Sequence, residues 1–296
     1  MQGVSERFDF TGDELGPAYA AAVEAIEAGD LVVLPTDTVY GVAADAFKAD
    51  AVARLLGAKG RGRDMPPPVL ISVVDTMDAL ATDIPEAGRK LCEAFWPGPL
   101  TVICHAQSSL MWDLGETQGT VALRVPDHEN TRELLSRTGP LAVSSANLSG
   151  QPAAVDVYDA ERQLGDMIAV YLDGGTSSGG EPSTIVDLTG EVPHVARVGA
   201  LSVARLREVV RRISAPGDPA PEDEVEVEEP KPADTEAADD KAADVEAADA
   251  KPADTEAADD KPADASDKVV EDEPADEKPV EDKVADDKPA DVKPAE

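Results

Sequence analysis

Residues 15–213 of this 296-residue chain read as one α/β domain with a mixed sheet and flanking helices. Two observations predict this. Short apolar runs of buried-strand type alternate with segments of helical composition through that region. The composition then breaks: from Pro216 onward 31 Asp and Glu stand against 9 Lys, a net of −22, whereas residues 1–215 hold 30 acids against 17 bases, a net of −13.

The break sets the domain bounds. Residues 1–14 read as an N-terminal extension, 15–213 as the folded domain and 214–296 as an acidic tail. The tail has no aromatic residue and no Leu, Ile, Met or Cys, and the run 231–240 recurs unchanged at 251–260. Such a composition buries too little apolar surface to offset the entropy of ordering and predicts disorder. Its recurring prolines argue against one long Ala-rich helix. The remaining 215 or so residues suffice for a sizeable core. Cys92 and Cys104 make no metal-ligand spacing, and neither a leader-like N-terminus nor an apolar run of membrane-spanning length is present. A reduced, cytoplasmic protein is expected. The acidity speaks against a DNA-coating protein, so any nucleic-acid contact needs a local basic patch.

In chain order, residues 18–28 form a helix closed by Gly29. Residues 31–34 are a buried strand ending at Pro35, and the polar cluster Thr36-Asp37-Thr38 follows, where strands of α/β proteins often end in a ligand crevice. A helix at 50–58 feeds into Lys59-Gly60-Arg61-Gly62-Arg63, three cations in five residues, bounded by Pro66-Pro67-Pro68. Glycines between cations let the backbone approach a polyanion. Residues 69–74 read as a strand and 85–95 as a helix begun by proline. A rigid turn at Trp96-Pro97-Gly98-Pro99 leads into a strand at 100–104. Strands at 120–125 and 141–144 flank a helix at 130–137, and the second is followed by the small-polar loop Ser145-Ala146-Asn147-Leu148-Ser149-Gly150. Strands at 168–172, 184–188 and 192–198 and a helix at 202–213 complete the domain. The Gly-rich connection 173–182 reads as mobile.

The chain lacks a P-loop and a G-x-G-x-x-G opening a helix. Gly175-Thr176-Ser177-Ser178-Gly179 matches a hydrolase elbow in letters only, because a strand rather than a helix follows. His105, His128 and His194 have no paired spacing, and no metal cage is expected. Arg124 lies within a strand, where a cation is costly unless paired, and Arg197 lies near the end of the last one. Each reads either as an anion clamp or as a partner of a core acid. Ser144-Ser145-Ala146-Asn147 after an apolar strand offers hydroxyl and amide donors to phosphate, or plain turn chemistry.

Taken together these stretches resemble the YrdC/Sua5 family, the L-threonylcarbamoyladenylate synthases of tRNA modification, in its short single-domain form. The carriers are Pro35-Thr-Asp-Thr-Val-Tyr-Gly41, Ala58-Lys-Gly-Arg61, Phe95-Trp-Pro-Gly-Pro-Leu-Thr101, Val121-Ala-Leu-Arg124, Ser145-Ala-Asn-Leu-Ser-Gly150, Asp173-Gly-Gly175, Ser183-Thr184 and Arg197-x-Gly199. The resemblance implies a twisted sheet around a concave, locally positive cavity. It implies a nucleotidyltransferase that makes threonylcarbamoyl-AMP and pyrophosphate from L-threonine, bicarbonate and ATP with Mg²⁺, for N6-threonylcarbamoyladenosine at position 37 of tRNAs. The product would pass to a threonylcarbamoyl-transferase complex, and contact with tRNA or double-stranded RNA is a further expectation.

On the same basis Lys59 and Arg61 are the expected catalytic residues and belong to an ATP site with Arg63, Thr120, Ser145, Asn147 and Arg197. Thr36, Tyr40, Arg124 and Ser183 fall on the threonine side. Two departures stand out: Leu70 takes the place of a family His, and the proline run replaces a D-N-P-L segment. The rival class is an RNA-binding module that uses the same positive cavity without catalysis. Carbamoyl transfer of the hydrogenase-maturation type lacks its Cys-rich zinc modules here, and a sugar-phosphate lyase lacks an acidic metal site.

Overall fold

The run at residues 31–34 sends alternate side chains to opposite faces. Leu31 and Val33 enter one buried apolar cluster, Val32 and Leu34 a second. That is the period-2 geometry of a strand covered on both sides. The structure is a computed structural model, described here for residues 5–177 and 180–218. The acidic tail beyond residue 218, and its expected disorder, lie outside the described residues, as do Ser178 and Gly179.

The elements run β1 (Glu6–Asp9), α1 (Gly16–Ala28), β2 (Val32–Leu34), β3 (Gly41–Asp45), α2 (Ala49–Ala58), β4 (Val69–Leu70), α3 (Met77–Leu80), β5 (Ala81–Thr82), α4 (Glu86–Phe95), β6 (Leu100–Ala106) and β7 (Thr120–Arg124). Then come α5 (Glu129–Thr138), β8 (Leu141–Ser145), α6 (Val157–Leu164), β9 (Val170–Asp173), β10 (Thr184–Asp187), β11 (His194–Arg197) and α7 (Val203–Val209). One mixed sheet forms in the order β1-β9-β2-β3-β8-β4-β7-β6-β10-β11, with β5 on β6. The α/β class and the mixed sheet expected from the alternation of elements are both present.

Two apolar clusters cover the sheet. Helices α1 and α5 supply Ala22, Ile26, Leu134 and Leu135 to one; α2, α4, α6 and α7 supply Leu55, Leu91, Ala160 and Leu206 to the other. Helix ends follow local chemistry. Gly29, at φ 80°, closes α1 in the left-handed region, where a Cβ is unfavourable. The side chains of His128, Asp156 and Ser202 accept N–H bonds from the first turns of α5, α6 and α7.

Several bounds differ from expectation for identifiable reasons. The strand expected at 69–74 stops at Leu70. Its neighbours run out there, because Leu70 faces both Arg124, the last residue of β7, and Leu141, the first of β8. The chain then turns away, leaving Val73 and Val74 exposed. The helix expected to reach residue 213 ends at Val209. Val210 is extended, which lets Ser214 bridge to His194 and buries Ile213. Part of the expected N-terminal extension belongs to the sheet, since β1 pairs in parallel with β9 and Phe10 packs edge-on against Tyr19. Helices α3 and α6 and strands β3 and β5 were not foreseen.

The ends of the sheet also explain Gly199. It packs against the backbone of Pro182 and Ser183, and a Cβ there would meet the Pro182 carbonyl oxygen and come within 2.7 Å of the Ser183 carbonyl carbon. Backbone cannot yield as a flexible side chain can. Gly199→Ala is therefore expected to destabilise the domain by about 1–3 kcal/mol, read as a lowered denaturation midpoint. A wild-type midpoint would refute the close packing.

Candidate active site

Strands β6, β7 and β10 have one face on the core and the other on a cavity. Val102, Leu123 and Val186 point into the core; Thr101, Ile103, Ala122, Arg124 and Ile185 line the cavity. Registry places these residues in rows, with Ile185 beside Thr101 and Ile103 beside Ala122. The cavity measures about 290 Å³, the scale of a small-molecule site. The link from β2 to β3, the loop after α2, the segment between β6 and β7, and Pro182-Ser183 form its walls. Pro66-Pro67-Pro68 and Leu70, the two departures from the family pattern, both belong to that wall.

Arg124 anchors one end. It sits at the cavity-facing phase of β7, and burial pulls its pKa down while Asp37 opposes that shift. Its Nε donates to the Gly98 carbonyl at 3.0 Å, Nη1 to Thr38 Oγ1 at 2.9 Å and Nη2 to Asp37 Oδ1 at 2.5 Å. Asp37 is itself fixed by the Asp127 N–H at 2.9 Å. Of the two sequence readings of Arg124, the pair with a core acid is present, and the residue also lines the cavity. Thr36 and Thr38 share a hydroxyl contact of 3.0 Å, and Thr36 donates to the Val39 carbonyl at 2.7 Å. The Tyr40 hydroxyl donates to Gly175 O at 2.5 Å and accepts from Gly174 N at 3.0 Å, and burial raises its pKa. Bonds from Ser177 N to Val155 O and Gly180 N to Thr38 O add to the attachment of the Gly-rich connection, which was expected to be mobile.

Arg61 and Arg197 occupy the other positions. Arg61 Nη1 donates to Ser144 Oγ at 3.2 Å, while its buried Nε has no partner. Arg197 grips Ser183 through its carbonyl at 2.7 Å, and the Ser183 hydroxyl pairs with Thr101 Oγ1 at 2.8 Å. Burial, and then the charges of Arg124 and Arg61, lower the Arg197 pKa. Among the described residues no Asp or Glu lines the cavity, and neither Arg61 nor Arg197 has a carboxylate partner. Three guanidiniums around a carboxylate-free hollow make an anion site.

Of the sequence-derived candidates, Thr36, Tyr40, Arg61, Thr120, Arg124, Ser145, Ser183 and Arg197 line this cavity together. Lys59, Asn147 and Arg63 do not. Lys59 is 1% exposed, and its ammonium donates to the carbonyls of Ser145 and Asn147, with a longer contact to Asn147 Oδ1. All three ammonium donors point at carbonyl oxygens, so the side chain clasps the Ser145–Asn147 loop from behind. The Asn147 amide closes on the Leu148 and Gln151 carbonyls. Arg63 faces outward and pairs with exposed Asp113 at 2.7 Å. Asp37, Thr38 and Ser144 lie in polar stretches that the sequence marks for a ligand, without a role of their own, and Thr101 was given none. The signal for Thr101 was in the sequence: it shares the phase of the cavity-facing residues on its strand.

His128 caps α5, His194 bonds Ser214 and His105 is exposed; none lines the cavity. Among the described residues no group of three His, Cys, Asp or Glu could hold a metal. The thiols of Cys92 and Cys104 are buried and pushed up to about 12 by desolvation, so they are poor nucleophiles.

The clasp has a pH signature. Burial lowers the Lys59 ammonium from 10.5 to about 8. The unfolded chain keeps the proton between about pH 8 and 10.5, where the folded chain sheds it. Stability contributed at this residue therefore rises with pH across that window, by at most about 3 kcal/mol. Denaturant titrations of wild type and Lys59→Met are expected to show the wild type gaining on the variant from pH 8 to 10. A difference that stays flat would contradict the buried position.

Residues 24–199 match the Sua5/YciO/YrdC family, described as "Telomere recombination". A Mycobacterium leprae relative is 51% identical over 216 residues, covering 73% of this chain and 98% of that one. A Pseudomonas entomophila protein named "Threonylcarbamoyl-AMP synthase" is 36% identical over 58% of this chain and 93% of its own. The crystal structure of Pyrococcus abyssi Sua5 complexed with L-threonine superposes with a TM-score of 0.69 at 32% identity, over 71% of this chain and 62% of that longer one. Among the described residues no helix is long and apolar enough to cross a membrane. With residues 24–199 matched and a relative 51% identical over most of its own length, the chain belongs to the Sua5/YciO/YrdC family.

Proposed function

We propose that this protein is an L-threonylcarbamoyladenylate synthase, a nucleotidyltransferase acting in the cytoplasm on L-threonine, bicarbonate and ATP. The observation that carries the reading is the carboxylate-free cavity with Arg61, Arg124 and Arg197 around it. Relatives named threonylcarbamoyl-AMP synthase and the L-threonine complex of Pyrococcus abyssi Sua5 support the substrate class. The product serves N6-threonylcarbamoyladenosine formation at position 37 of tRNAs and is handed to a threonylcarbamoyl transferase.

The chemistry needs no protein nucleophile. The threonine amine attacks CO₂ derived from bicarbonate and loses a proton, giving an N-carboxylate. That oxygen then attacks the α-phosphate in line, the bond to the β-phosphate breaks, and pyrophosphate leaves. Arg124 receives the amino-acid carboxylate through a forked guanidinium. Arg61 and Arg197, with Thr120 and the Ser145 hydroxyl, face the nucleotide and offset charge on the phosphates and departing pyrophosphate. Lys59 and Asn147 hold the Ser145 loop in place for that contact. Catalysis is then positioning plus electrostatics. The cavity lining offers no carboxylate to a resident metal, so Mg²⁺ enters as the counter-ion of the ATP phosphates.

Incubating the pure protein with ATP, bicarbonate and each amino acid in turn is expected to release pyrophosphate with L-threonine. Release that ignores the amino acid, or none at all, would sink the proposal. Arg61→Ala is expected to lower turnover by about 10²–10³-fold with its unfolding midpoint near wild type. Unchanged turnover would remove Arg61 from the nucleotide side.

A further inference from the structure

The three cavity guanidiniums are not equivalent. Arg61 and Arg197 face the hollow with no carboxylate partner among the described residues, whereas Arg124 is ion-paired with Asp37 at 2.5 Å. Asp37 is outside the cavity lining, and the Asp127 N–H holds its carboxylate in place. Bonds to Gly98, Thr38 and Asp37 take three of the five guanidinium N–H donors of Arg124, leaving two. A carboxylate can accept both of those and needs little net charge to do so. A polyphosphate binds mainly through net charge. At Arg124 it meets a cation already balanced by Asp37; at Arg61 and Arg197 it meets two that are unbalanced.

We infer that Asp37 is a specificity-determining residue, whose charge reserves the Arg124 end of the cavity for a carboxylate and keeps phosphate groups off it. The inference rests on the proposed pairing of an amino acid with ATP in this cavity. It explains how two anionic substrates sort within one arginine-lined hollow. Without the Asp37 charge, Arg124 becomes a third unbalanced cation, and pyrophosphate gains a second place to bind where threonine belongs. Asp37→Asn keeps the size and an acceptor oxygen while removing the charge; Asp37→Glu keeps the charge.

Calorimetric titration of the full chain with sodium pyrophosphate tests this. Wild type and Asp37→Glu are expected to bind one pyrophosphate per chain, whose binding L-threonine does not abolish. Asp37→Asn is expected to bind two, the second displaced by L-threonine. A single pyrophosphate in a folded Asp37→Asn, with the melting transition as the check on folding, would overturn the inference. A purely structural role for Asp37 would weaken binding and create no second, threonine-displaced site. Should Asp37→Asn not fold, the wild type decides: pyrophosphate that competes with L-threonine without reaching a plateau overturns the inference, and a plateau supports it. Counting pyrophosphate needs no turnover. A wild type that releases no pyrophosphate with L-threonine, paired with a two-site Asp37→Asn, would refute the proposed reaction and leave the charge sorting standing. A wild type that binds no pyrophosphate overturns both.

Discussion

A guanidinium buried inside a sheet is expensive, and much of this site exists to make it affordable. Removing a cation from water costs several kcal/mol even after relaxation, unless an anion and hydrogen bonds replace the solvent. Arg124 draws those replacements from two separate stretches: Gly98 of the proline-rich turn, and Thr38 and Asp37 of the β2–β3 link. Asp127 N–H then fixes the carboxylate. Each of these stretches therefore has a reason to be where it is, and together they frame one end of the cavity. The Trp96–Pro99 turn, which reads from sequence as structure rather than chemistry, contributes through its carbonyl.

The opposite end follows a different rule. Lys59 and Asn147 hold the backbone of the β8 loop through carbonyl oxygens, and Arg61 and Ser145 of the same motifs turn toward the cavity. Within K-x-R and S-x-N alike, one residue clasps and the other faces the cavity. The spacing of two explains this division, because neighbours at that separation in an irregular loop need not share a direction. Side-chain type marks both members as phosphate-seeking, yet only the fold decides which is free.

Much of the architecture was legible from the chain. Alternating buried runs such as 31–34 and 141–144 declare their strands, since side chains of both parities are apolar and both faces are covered. Gly29 declares the end of α1 through its left-handed backbone. What stayed hidden depended on partners distant in sequence. Residues 69–74 look like a full strand because Val and Ile favour one, but pairing fails beyond Leu70 when both neighbours run out. Strand β1 carries charged residues on its exposed side and is recognisable only through its partner β9. In the site, the residues of the cavity face were readable as motifs; a core acid as partner of Arg124 was left as one of two readings, because nothing local states that Asp37 is the acid across the fold.

Asymmetry of charge inside the cavity is what turns these contacts into a reaction site. A hollow lined by equal cations would take the most highly charged ligand everywhere and hold it in no particular direction. Neutralising one guanidinium with Asp37, while Arg61 and Arg197 have no acid partner among the described residues, makes the charge around the cavity uneven. Under the proposed reaction, such an uneven charge would direct the amine end of a carboxylate substrate at the α-phosphate of a polyphosphate. Hydroxyls of Thr36, Thr38, Thr101 and Ser183 add polarity without charge, so they can satisfy either neighbour without disturbing that order. Binding energy spent on orientation of this kind lowers the barrier without a nucleophile, which fits a cavity whose lining, among the described residues, presents no thiol, imidazole or carboxylate.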